Sequence, residues 1–158
     1  MPSNFERMIQ MAEDVFSVRN DPDQLSVDQD VIKRLQKIHP SSISEYSEGN
    51  GPLIWILLIP TTEALMKDFI SGKITEQKLF DLTPLKEKYE AIYLCSAMTL
   101  PECRNKGITK NLTLKAIEKI RKKHPIKSIF VWPFSKEGAR LAEKIAATVN
   151  LPLLIKEK

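Results

Sequence analysis

The chain has 158 residues, 42% apolar and 28% charged, a balance that predicts one folded domain with a single core and excludes a disordered chain. A net charge of +4 is too small for a protein that coats nucleic acid by charge alone, and two cysteines are too few for a disulfide scaffold or a zinc site. The N-terminus lacks the basic, apolar and small-residue order of a signal peptide, and the longest apolar run, 52–60, is far short of the roughly 20 residues of a spanning helix, so the expectation is a soluble, cytoplasmic protein without a membrane partner.

Phe5, Met8, Ile9, Ala12, Val15 and Phe16 recur at helical spacing and predict an amphipathic helix over 3–18. Ser26-Val27-Asp28-Gln29 reads as a capping box, and Val31, Leu35 and Ile38 extend one apolar face until Pro40. These helices make up an N-terminal part, 1–50, of the single domain. Residues 40–52 are rich in Ser and Gly and read as loop, with a weak edge strand near Ile43–Tyr46. Residues 53–59 are uniformly apolar and predict a strand buried on both faces. Pro60 and Thr61 then open a helix bearing Leu65, Met66, Phe69 and Ile70, with Gly72 as its stop and a short helix over 75–81. Residues 60–88 thus read as a helical insertion between strands.

A second apolar strand runs from about Ala91 to Met98, and a helix with Ile108, Leu112, Ala116, Ile117 and Ile120 inward spans about 107–123. Ser128–Trp132 reads as a strand, 136–149 as a helix capped by Ser135, and Leu151–Ile155 as a last strand. This alternation predicts a layered α/β (α+β) domain. His39 and His124 each precede a proline at a helix end, where a structural role beside the helix dipole is expected. Trp55 and Trp132 lie inside apolar strands and read as core.

The charge is unevenly spread. Residues 104–127 hold nine basic side chains against one acid, Glu118, so this segment alone carries about +8. It coincides with a strand–loop–helix, Ala97-Met98-Thr99-Leu100-Pro101-Glu102-Cys103-Arg104-Asn105-Lys106-Gly107-Ile108-Thr109-Lys110. The first N–H groups of a helix lack internal partners and sit at the positive end of its dipole, which suits a phosphate. Gly107 has no Cβ to hold a phosphate off, and Arg104, Lys106 and Lys110 add charge.

Pro101, Arg104 and Gly107 have the spacing of the acetyl-CoA loop of the GNAT-type N-acetyltransferases, and the segment resembles that family over about 89–149. The resemblance implies a mixed sheet splayed around a cofactor cleft, with helices on both faces. It implies that Asn105, Lys106, Gly107, Ile108, Thr109 and Lys110 wrap the diphosphate of acetyl-CoA, or another acyl-CoA, as co-substrate, and that Ala97, Met98 and Thr99 offer backbone groups to the pantetheine arm. No metal is implied. Thr109 departs from the family's final small residue. Ala142 stands where the family often has a tyrosine as general acid, and no tyrosine follows Tyr93. The remaining candidates for proton transfer are Glu90, Tyr93 and Ser135. The leading expectation is transfer of an acyl group from CoA to an amine of a small molecule, peptide or protein. A GNAT-like CoA-binding or interaction module without turnover comes second. A nucleic-acid-binding domain using the basic helix comes third.

Overall fold

The computed structural model describes residues 6–7, 10, 29–49, 51–104, 107–133 and 135–156. Most of the helix predicted over 3–18, and the capping box at 26–29 apart from helical Gln29, lie outside them; Glu6, Arg7 and Gln10 are helical. The first long described helix is Gln29–Ile38 (α1). Val31, Leu35 and Ile38 are buried, as their spacing on one helical face requires.

Five strands form one mixed sheet: Ile43–Glu48 (β1), Gly51–Thr61 (β2), Ala91–Thr99 (β3), Ser128–Val131 (β4) and Leu153–Ile155 (β5). They lie side by side in chain order. β1, β2 and β3 are antiparallel, whereas β4 and β5 are each parallel to the strand before. Helix Ile108–Arg121 (α4) connects β3 to β4, and helix Lys136–Val149 (α5) connects β4 to β5. Between β2 and β3 stand Glu63–Ile70 (α2) and Glu76–Leu82 (α3), so the predicted insertion is helical and its two flanking strands still pair.

Several predicted boundaries move, among them those of β5, which begins at Leu153 and not at Leu151. β1 runs on to Glu48 through a segment read as loop, because β2 supplies a partner out to Gly51. Pro60 and Thr61 belong to β2 and do not open the helix. At Pro60 the strand has only β3 beside it, since β1 begins opposite Leu57, so the missing N–H breaks no ladder bond there. The helix starts at Glu63, capped by the Thr62 hydroxyl, which accepts from Leu65 N at 3.2 Å. It ends as predicted at Gly72, whose φ of +84° closes the last turn. Ser135 caps α5, its Oγ accepting from Gly138 N at 3.0 Å.

Helices cover both faces of the sheet. On one face Phe69 of α2 meets the rings of Tyr93, Phe130 and Trp132, with centroids 5.1, 5.9 and 6.0 Å away. Ser128 Oγ reaches Met66 Sδ on the same side. The alternate residues Ile92 and Ile129 point to the opposite face and are also fully buried. That face belongs to α4 and α5, which pack against each other and against the sheet. Both parallel connections step in one direction across the sheet, and the right-handed crossover usual for such connections places their helices on one face. No described helix is long and apolar enough to cross a membrane.

The two histidines meet at the end of the sheet where β3 begins. His39 is buried, its ring centroid lies 5.8 Å from that of His124, and its Nδ1 accepts from Ser41 N at 2.9 Å. His124 Nδ1 accepts from Tyr89 N at 3.3 Å. Burial holds both imidazoles below the ordinary histidine value; the nearby positive charge of Lys123 adds to this at both, with Lys88 at His124. They are structural, as expected, but as neutral packing groups and not as charges on a helix dipole.

In the unfolded chain a histidine titrates near 6.5. Because the folded values lie lower, the unfolded state takes up protons first as pH falls. The linked stability is therefore complete above about pH 6.5 and is lost as pH drops through the folded values. Thermal melts at stepped pH should show a larger fall in Tm between about pH 7.5 and 5.5 for the wild type than for His39→Asn/His124→Asn. Parallel curves would count against this linkage.

Candidate functional site

β3 and β4 pair over only four residues, Ala91–Leu94 against Ser128–Val131. β3 then runs five residues further, and no described strand pairs with Cys95–Thr99 on that edge. The two strands part for a local reason on each side. On β3 the ladder to β2 slips at Cys95, where Leu94 faces Leu58 and Ser96 faces Leu57. Such a bulge bends and twists the strand. On β4 the chain leaves through Trp132 and Pro133, and proline has no N–H to continue a ladder.

The far end of β3 feeds the basic loop. Leu100 N donates to Leu53 O at 2.9 Å, and Pro101–Cys103 forms one 3-10 turn that buries Cys103. Arg104 Nε donates back to Thr99 O at 3.1 Å, so its guanidinium is held at the end of the strand. Arg7 grips Glu102 through two hydrogen bonds of 2.7 and 2.8 Å, which ties the N-terminal segment to this loop. Asn105 and Lys106 lie outside the described residues. Gly107 has φ +75°, and an ideal Cβ there would meet no described residue beyond its chain neighbours within 4 Å.

α4 therefore begins without a side-chain cap and with no acid in its first turn. Its first N–H groups, on Ile108, Thr109 and Lys110, stand at the positive end of a 14-residue helix. The Thr109 and Thr99 hydroxyls share a hydrogen bond of 2.8 Å, which fastens the helix start to the end of β3. Threonine in place of a small residue thus has a structural reason here. Because β3, β4 and β5 are parallel, the start of α5 at Ser135 lies at the same end of the sheet. The chemistry this end can perform is to hold an anion against helix N–H groups and to hold an extended chain along an open strand edge.

The cofactor-binding candidates are thus contiguous. Ala97 is exposed, Met98 is buried, Thr99 is half-buried, and they continue through Arg104 to Gly107–Lys110. The proton-transfer candidates are scattered. Tyr93 is fully buried, and its hydroxyl donates at 2.5 Å to the equally buried Glu76 carboxylate. Glu90 precedes the first residue of β3 and lies near Lys127, with Oε2 3.8 Å from its Nζ. At 3.3 Å per residue it stands about 30 Å along the strand from Thr99. Ser135 alone lies at the loop's end of the sheet, exposed and engaged as a cap. Ala142, where a phenol was sought, is buried on α5.

Lys156 is a residue that no sequence pattern singles out. Its ammonium lies 4.8 Å from the Trp132 ring centroid and 5.6 Å from that of Phe69. A lysine after a short last strand carries no local signal; only the packing of distant aromatics makes it distinctive. Away from the loop, a groove of about 460 Å³ opens between the carboxyl-terminal ends of α4 and α5, lined by Leu114, Ile117 and Val149 among others. It is at the opposite end of α4 from Gly107. Among the described residues no group of three or more His, Cys, Asp or Glu is placed to hold a metal ion. No protein-family model, curated protein or solved structure matches the chain.

The pairing of Tyr93 with Glu76 predicts a role in stability. Tyr93→Phe leaves a buried carboxyl short of one donor and should cost about 1–3 kcal/mol in urea unfolding. A variant as stable as the wild type would show that this bond carries no weight.

Proposed function

We propose that the chain is an acyl-CoA-dependent N-acyltransferase of GNAT type, using acetyl-CoA or another acyl-CoA as co-substrate and an amine as acceptor. The observation that carries this reading is the continuity of a strand edge, Ser96–Thr99, to which no described strand pairs from the β4 side, with a basic helix start at Gly107 that has no side-chain cap. An acyl-CoA has the matching layout, an extended amide-bearing arm joined to a diphosphate. In this reading the N–H groups of Ile108, Thr109 and Lys110 hold the diphosphate, with Arg104 and Lys110 supplying charge. The backbone of Ala97, Met98 and Thr99 takes the amides of the arm. That edge aligns the thioester where β3 and β4 part, and backbone donors there stabilise the oxyanion that forms as the amine attacks.

A second reading is a CoA-binding module without turnover. The burial of Ala142 and the engagement of Tyr93 by Glu76 favour it, because neither position presents a free phenol. Turnover separates the two: the enzyme reading expects free thiol to be released from acetyl-CoA in proportion to amide formed.

Titration calorimetry tests the shared part. Acetyl-CoA should bind the wild type, and Gly107→Trp should weaken binding at least about tenfold, or ~1.4 kcal/mol, by filling the space a phosphate would use. Absence of binding to the wild type, or equal binding to both proteins, would falsify the proposal.

A further inference from the structure

Aminolysis of a thioester expels a thiolate, and a positioned acid that protonates it speeds that step. Few described side chains at the carboxyl end of β3, β4 and β5 are suited to the task. Tyr93 is sealed in the core and donates to Glu76. Cys103 is buried in the 3-10 turn, and Ala142 has no polar side-chain atom. Ser135 is engaged at the start of α5.

Lys156 differs in position and in chemistry. Its backbone N–H donates at 2.9 Å to the carbonyl of Val131, the last residue of β4 and the point where the ladder to β3 stops. Trp132 is the next residue, the one that would face Cys95 if pairing continued. The Lys156 ammonium lies over the Trp132 and Phe69 rings, so a flexible four-carbon side chain is anchored at the parting of the strands. It is half-buried, and a lysine ammonium has protons to give.

We propose that Lys156 is the proton donor to the departing thiolate, an assignment that rests on the acyl-transfer reading above. The acceptor nitrogen forms a bond to the thioester carbonyl carbon. The C–S bond breaks with its electron pair going to sulfur, and sulfur takes a proton from Lys156 Nζ. The resulting neutral lysine amine removes the surplus proton from the new amide nitrogen. Amine and thioester become amide and thiol, and Lys156 ends as it began.

The test uses the full chain, acetyl-CoA, and a panel of primary amines: spermidine, a lysine-containing peptide, a peptide with a free N-terminus and an aminoglycoside. Lys156→Met removes the charge. Lys156→Arg keeps the charge and the aromatic contact but holds its proton far more tightly. Both variants should lose about 10²–10³-fold in kcat, keep the acetyl-CoA dissociation constant within about twofold of the wild type, and lose the alkaline limb of the kcat pH profile. Full activity in Lys156→Arg would mark a purely electrostatic or packing role and overturn the proposal, as would unchanged kcat in Lys156→Met or a loss confined to KM. An active wild type with unaffected variants sinks the Lys156 assignment alone. A wild type that binds no acetyl-CoA, or acylates none of the amines, sinks the transfer reading and this assignment together.

Discussion

β3 has nine residues and β4 only four, and they stay paired just from Ala91 to Leu94. Much of the molecule's character follows from that inequality. A parallel pair that stops early leaves a seam, a stretch of strand to which no described strand pairs on that side, and buried backbone groups need partners. Pairing stops where β3 is bulged at Cys95 and where Pro133, without an N–H, follows β4. The seam sits beside the start of α4 because Thr99 and Thr109 lock strand end to helix start. The end of β3 and the start of α4 are therefore fastened to each other.

Phe69 provides the complementary constraint. Its ring touches Tyr93, Phe130 and Trp132 at once, so it clamps the inserted α2 onto the face that a simple hairpin would have left uncovered. Truncating a buried Phe to Ala typically costs about 3–5 kcal/mol. The clamp has two effects on the site. It encloses Tyr93 with Glu76 in the core, and it builds the aromatic seat on which the Lys156 ammonium rests.

Cations stand at both ends of β3, with Lys88, Lys123 and Lys127 near its amino end. That end also holds the imidazoles of buried His39 and half-buried His124, packed against each other, with the Tyr89 ring beside His124. The carboxyl end gathers the start of two helices with Arg104, Lys110 and Lys156 near them. Parallel strands joined by helices place helix starts at their carboxyl ends, so the dipoles and the cations act in the same sense there.

Much of the fold was legible in the residues alone. Apolar runs at 53–59, 91–98 and 128–132, broken only by Ser96 and Ser128, fall on the three central strands, since a strand covered on both faces leaves few polar positions. Thr62 escaped notice as the cap of α2 because Pro60-Thr61 reads as a helix start in isolation; only the pairing of Pro60 with Ile92 keeps it in the sheet. The start of α4 at Gly107 was legible because a helix start is a local event. The rest was not. Glu90, Tyr93 and Ser135 are indistinguishable as candidates along the chain, and the sheet separates them by about 30 Å of strand, a buried carboxylate and a helix cap. Lys156 acquires its position from Trp132 and Phe69, 24 and 87 residues earlier in the chain. Local pattern determined the elements and the basic helix start, because both depend on neighbours within a few residues. Tertiary packing decided which side chains face the seam, because that depends on contacts between residues far apart in the chain.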